Sequence, residues 1–159
     1  MKSIIINKYE RLLTVYEEGE AIWQTVIALG SNPMGAKTSA GDDKTPEGDY
    51  TICVKNPTSK YGLSLGISYP NAEDIRRGYD QGVIDEATYR ALTEADGPAS
   101  WETPLGGEIY IHGGGTMGDW TAGCIAMETA DMQKLFDLIE VDCSVSILPG
   151  IEIPISFMI

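Results

Sequence analysis

A mainly β fold with helical additions is predicted for this chain by three observations. Apolar residues alternate with polar ones in short runs, turn-forming residues recur throughout, and helical spacing is confined to two regions. Eighteen glycines and eight prolines in 159 residues interrupt the chain too often for long helices. The length favours one domain over residues 1–159, enough to bury about 70% of the surface the unfolded chain exposes.

Residues 2–28 read as three short strands. Ile4 and Ile6 alternate with polar neighbours, Leu12–Tyr16 follows, Glu17-Glu18-Gly19-Glu20 turns the chain, and Ala21–Ala28 returns it as a hairpin. From Gly30 to Gly48 the sequence is polar and too long for an idle connection, so a surface loop framing a site is expected. It ends in Thr45-Pro46-Glu47-Gly48, where Pro46 presets φ and Gly48 can take a positive one. Tyr50–Lys55 and Tyr61–Ser68 are the next strands.

Residues 71–96 change character. Asn71 can cap a first helix, and Asp85 a second that carries Ala87, Tyr89, Leu92 and Ala95 as an irregular stripe. This helical insertion either forms a lid over the site or covers a sheet face. Gly107–His112 is a strand ending on a histidine. A helix starts near Thr129, capped by its hydroxyl, and buries Met132, Leu135, Phe136 and Ile139. Cys143–Pro149 is a closing strand.

Charge narrows the function classes. A net charge of −13 repels phosphate backbones, and no basic stripe interleaved with aromatics offsets it, so nucleic-acid binding is not expected. Such acidity suits a soluble monomer. The first apolar run, Ile4-Ile5-Ile6, is too short for a signal-peptide core, and no window approaches the ~20 apolar residues of a membrane-spanning helix. The compartment is therefore cytoplasmic if the chain is complete, or the cell envelope if a leader has been removed. Three cysteines, at 53, 124 and 143, do not make a disulfide framework.

The chemistry lies in Ile111-His112-Gly113-Gly114-Gly115-Thr116-Met117-Gly118-Asp119-Trp120-Thr121-Ala122-Gly123-Cys124. His112 is the chain's one histidine, so any imidazole chemistry must use it. A thiol with a reference pKa of about 8.5 is mostly protonated at neutral pH, and a nearby imidazole can take its proton. The glycines of the loop allow it to double back and bring Cys124 to His112. The Gly123 and Cys124 amides are candidate oxyanion donors. Trp120 and Tyr61 are candidates either to line a peptide groove or to pack in the core or under a lid. No Lys-Ser/Thr follows the triple glycine as in a phosphate loop, and one His with one Cys falls short of a metal motif. Residue type alone also allows the bland alternative, a buried cysteine and a structural histidine. Cys53 and Cys143 fit that alternative well.

Three segments together resemble the L,D-transpeptidase catalytic domains, the YkuD-like family. They are His112-Gly113 with Thr121-Ala122-Gly123-Cys124-Ile125-Ala126, the turn Thr45-Pro46-Glu47-Gly48-Asp49-Tyr50, and the opening hairpin Leu12–Gly19. The resemblance implies a β-sandwich with a helix after the catalytic cysteine. It implies Cys124 as nucleophile, His112 as base, and Gly113 orienting the base through its carbonyl; Gly123, Thr121, Trp120 and Tyr61 are the residues expected around the substrate. The implied reaction is acyl transfer on peptidoglycan stem peptides: D-Ala leaves, and a thioester forms that an amine or water resolves. No metal or organic cofactor is implied, and a carbapenem is the implied covalent inhibitor. Ala122 stands where the motif carries histidine, and Ala126 where it carries arginine or asparagine. A hydrolase of the same fold (L,D-carboxypeptidase or amidase-like) and a catalytically silent wall-peptide-binding module are the alternatives.

Overall fold

The computed structural model describes residues 1–94 and 101–150. Strands β1 (Lys2–Asn7), β2 (Leu12–Glu17) and β3 (Glu20–Val26) form an antiparallel meander, as the alternation predicts. Glu17 pairs with Glu20, which leaves Glu18 and Gly19 as a two-residue turn with φ of 49° and 82°. Paired positive φ angles are what a tight hairpin between right-twisted strands requires.

The remaining strands are β4 (Gly48–Ser59), β5 (Gly62–Ile67), β6 (Tyr110–His112), β7 (Ile125–Ala126) and β8 (Ser144–Leu148), in the spatial order β3-β2-β1-β8-β4-β5-β6-β7. Strand β4 is the hinge of this arrangement. Its first residues, Gly48–Thr51, pair with β8, and from Ile52 onward it pairs with β5 across two register shifts. The sheet thereby folds over itself into two layers, as a β-sandwich does. Bridges from Ala28 to Ala126 and from Gly30 to Thr121 tie the segment after β3 to the opposite edge. The core between the layers takes Ile4, Ile6, Leu13 and Val15 from one side and Ile52, Leu65, Ile67 and Ile111 from the other.

Helices α1 (Ala72–Asp80) and α2 (Glu86–Glu94) start where predicted. Asn71 Oδ1 accepts from the Asp74 N–H while Asp74 accepts from the Asn71 N–H, and Asp85 Oδ1 accepts from the Thr88 N–H. Ala95, expected on the second helix, lies outside the described residues. The two helices enclose a small core of Ile75, Ile84, Leu92 and Leu105.

Helix α3 (Thr129–Leu138) buries Met132 and Leu135, with Ile139 just beyond it and Phe136 half-buried. Its capping differs from expectation. Glu128, not Thr129, is the N-cap, and it makes no side-chain cap. The Glu128 carboxylate instead accepts from the Thr116 N–H and hydroxyl at 3.2 and 2.8 Å, holding the glycine loop. No helix among the described residues is long and apolar enough to cross a membrane.

Candidate active site

Strand register decides how the glycine loop returns. Ile111 pairs with Ile125 and His112 with Ala126 in a parallel ladder, which sets Cys124 opposite Tyr110. Paired residues of parallel strands point to one face, and alternate residues share it. Ile111 and Ile125 therefore enter the core, while Tyr110, His112 and Cys124 share the other face. The diagonal from His112 to Cys124 is one strand spacing across and two residues along, about 7–8 Å between backbones. The Tyr110 N–H lies 3.4 Å from Cys124 Sγ, and Sγ lies 3.5 Å from the Glu108 carbonyl oxygen.

A cleft of about 400 Å³ opens on this face. It is lined by Asn56, Ser59, Lys60, Tyr61, Ser64, Glu108, Tyr110, His112 and Cys124. Among the described residues of the helical insertion, 71–94, none lines it, so this part does not cover the cleft. Its apolar face is spent on its own small core, and Asp74 docks it on the sheet by accepting from the Tyr50 hydroxyl at 2.6 Å.

His112 is 2% exposed, with Nδ1 2.6 Å from the Gly113 carbonyl oxygen. A carbonyl oxygen only accepts, so Nδ1 carries the proton and Nε2 is left as the acceptor. Tyr61 stacks on the imidazole with centroids 4.1 Å apart and planes 9° apart. The indole of Trp120 meets both rings edge-on, at 5.6 Å from His112 and 5.8 Å from Tyr61, and donates to the Gly115 carbonyl. Both aromatics named from sequence thus surround the histidine.

Burial holds the imidazole below its ordinary value; the Gly113 contact opposes this and Lys60 adds to it. Burial pushes the Cys124 thiol up, against the Tyr110 N–H and the charge of Lys37. Both effects favour a neutral thiol beside a neutral imidazole at pH 7. Cys53 and Cys143 are half-buried free thiols, also pushed up by burial.

Thr121 and Gly123 have shaping positions rather than open ones. Thr121 is 5% exposed; its hydroxyl accepts from the Gly123 N–H at 3.1 Å and donates to the Cys124 carbonyl at 2.6 Å. The Gly123 amide is thus committed within the turn, while the Cys124 N–H meets no acceptor among the described residues. A Cβ on Gly123, whose φ is +133°, would stand 2.8 Å from the Lys44 carbonyl oxygen. The Thr45 hydroxyl accepts from the Gly30 N–H and donates to the Gly123 carbonyl, joining the Thr-Pro turn to the cysteine loop. Lys8, buried, reaches the same turn through the Thr45 carbonyl and Glu47. Ala126 is wholly buried where the sheet closes, and Ala122 is exposed.

Sequence reading missed most of the far wall. Tyr110 was within reach, because it lies two residues before His112 on a strand. Asn56, Ser59, Lys60 and Ser64 carry no motif and arrive only through the pairing of Ser64 with His112. Among the described residues, no three His, Cys, Asp or Glu side chains gather as a metal site would require.

The model of the L,D-transpeptidase catalytic domain, YkuD, matches residues 1–147. The chain belongs to that family. Its similarity to curated proteins includes YafK of Escherichia coli (strain K12), whose own name assigns it provisionally to the L,D-transpeptidases. The two are 35% identical over 83 residues, 48% of this chain and 34% of YafK. Two crystal structures of the helical cell shape determining protein Pgp2 from Campylobacter jejuni share its fold. They are 25% identical with TM-scores of 0.69 and 0.65, covering 96% of this chain and 48% and 49% of theirs. A more distant likeness, with the fold alone in common, is to the L,D-transpeptidase LdtMt1 in complex with imipenem, at 14% identity, TM-score 0.54, and coverage of 92% and 58%. This L,D-transpeptidase-family chain thus spans about a third of the curated relative and about half of the Pgp2 chains. The mainly β architecture with helical additions is that of the family's solved members.

Proposed function

We propose that this chain is a single catalytic domain that performs cysteine acyl transfer on peptidoglycan stem peptides. One observation carries the reading: the chain's only histidine and Cys124 open into the same cleft from neighbouring strands of an L,D-transpeptidase-family fold. Gly113 orients His112 so that Nε2 accepts the thiol proton as Sγ attacks the carbonyl after the L-centre of meso-diaminopimelate. The uncommitted Cys124 N–H is the amide best placed to receive the developing oxyanion. The C–N bond to D-Ala breaks, the imidazolium returns the proton to the leaving amine, and a thioester remains on Cys124. Tyr61 and Trp120 shield the imidazole from water. An amine acceptor or water then resolves the thioester, and this chemistry calls for no metal or organic cofactor.

The test is incubation of the purified protein with a tetrapeptide stem and an acceptor amine. Crosslinked dimer marks transfer, and release of D-Ala alone marks the hydrolase alternative. Intact mass after carbapenem exposure is expected to show one adduct, absent from Cys124→Ala. If no adduct forms and Cys124→Ala retains wild-type turnover, the catalytic reading is wrong.

A further inference from the structure

The cleft carries one basic and one acidic side chain, and they stand at opposite ends of the candidate reacting pair. Lys60 belongs to the turn between β4 and β5, where Ser59 pairs with Gly62, and its Nζ lies 5.2 Å from the ring centre of Tyr61, which stacks on His112. Glu108 lies two residues before Tyr110, and its carbonyl oxygen faces Cys124 Sγ. Both residues line the cleft, and the charge of Lys60 acts on His112 while that of Glu108 acts on Cys124, so the cation is on the imidazole side and the carboxylate on the thiol side. Both are exposed, and among the described residues neither forms an ion pair. The other side chains around the cleft are uncharged at neutral pH, Asn56 and Ser64 among them. Glu108 is also a non-glycine residue at φ +54°, a left-handed conformation that persists at ligand-facing positions when the surroundings hold it.

The order of these charges relative to the scissile bond follows from proton bookkeeping. The leaving amine must face the group that protonates it, so the departing residue occupies the His112 side. The acyl carbon and whatever extends from it occupy the Cys124 side. A departing amino acid ends in a carboxylate, and an acyl residue with a free amine on its side chain bears an ammonium.

We propose that Lys60 and Glu108 are specificity-determining residues that read a substrate charged on both sides of the scissile bond, Lys60 taking the terminal carboxylate of the departing residue and Glu108 a side-chain ammonium of the acyl residue. This rests on the acyl-transfer reading above. In a protein of net charge −13, a lone lysine in the cleft supplies local attraction that the overall field does not.

The experiment compares consumption rates of three peptides by mass spectrometry: the tetrapeptide stem ending in meso-diaminopimelyl-D-alanine, its C-terminal amide, and its side-chain N-acetyl derivative. The wild-type protein is expected to prefer the unmodified peptide to each derivative by about tenfold, as loss of one charge-assisted contact produces. Lys60→Gln should reduce the carboxylate preference to within about twofold and keep the amine preference, and Glu108→Gln should do the reverse. Equal rates on all three peptides by the wild-type protein, or a variant that loses both preferences together, overturn the charge reading and leave acyl transfer standing. No consumption of any peptide, with no mass adduct on Cys124, overturns the acyl-transfer reading and this inference with it.

Discussion

Burial moves the two candidate reacting residues in opposite directions, and the consequence is measurable. With His112 held below 6.5 and Cys124 above 9.0, a preformed thiolate–imidazolium pair is disfavoured, so the proposed reaction needs proton transfer to accompany attack. In the proposed reaction His112 acts unprotonated, so the acid limb of turnover is expected to fall below pH 6.5. Alkylation of Cys124 by iodoacetamide, followed by mass spectrometry, is expected to rise with a midpoint above pH 9. A plateau already reached at pH 6 would mean that the ion pair exists at rest. The stacked Tyr61 ring is one source of the desolvation. Tyr61→Ala should therefore move the acid limb upward and lower turnover about tenfold or more, whereas Tyr61→Phe should keep both near wild type.

The elements were legible where side-chain period reported burial and illegible where contact distant in sequence made them. Ile4, Ile6 and Leu13 face the core because strands alternate, and Asn71 and Asp85 cap helices because their carboxyl and amide oxygens suit an N-terminus. The two-residue strand β7 has no period to read, and it exists because His112 and Ala28 flank it. The Glu128 cap escaped notice because its carboxylate is drawn away to Thr116. The polar loop after β3 does frame the cysteine, through the Thr45 hydroxyl. Thr45→Val leaves a buried N–H and a buried carbonyl without that partner, at a cost of about 2 kcal/mol. Thermal unfolding should show a midpoint about 4–8 °C lower, with turnover reduced and the acid limb unmoved. Helices α1 and α2 stand apart from the cleft, so they offer a contrasting case. A Cβ at Gly78 would stand 2.4 Å from Leu105 Cδ2, and Gly78→Ala should cost about 1–3 kcal/mol in thermal stability. The Cys124 alkylation rate should stay within about twofold of wild type; a large change would restore the lid.

At the scale of the whole molecule, Asp119 joins parts that are far apart in sequence. It accepts from Arg11 Nη2 at 2.8 Å, at the turn between β1 and β2, and from the Leu29 N–H at 3.0 Å, while lying in the loop that leads to Cys124. Burial works to raise its carboxyl, but Arg11 and the Leu29 amide overcome it and hold the group below 3.8. The unfolded state then binds more protons in that acidic range. This contribution is complete above about pH 4 and is lost as pH falls through the folded value. Asp119→Asn should lower the melting temperature at pH 7 by about 2–4 °C, about 1 kcal/mol after solvent screening, with the difference from wild type shrinking below pH 4. An undiminished difference at pH 3 would show that the effect is packing rather than charge.

The sequence by itself determined the strand-rich class, the helix starts, the acidic net charge and the candidate pair His112 and Cys124, because each depends on residue type or on spacing within one segment. Only the tertiary structure decided which amide stays open near the thiol, which aromatics cover the imidazole, and that Lys60 and Glu108 reach the same cleft. Those outcomes depend on strand register and on how β4 bends between the two layers. Both are set by contacts between segments that no local pattern encodes.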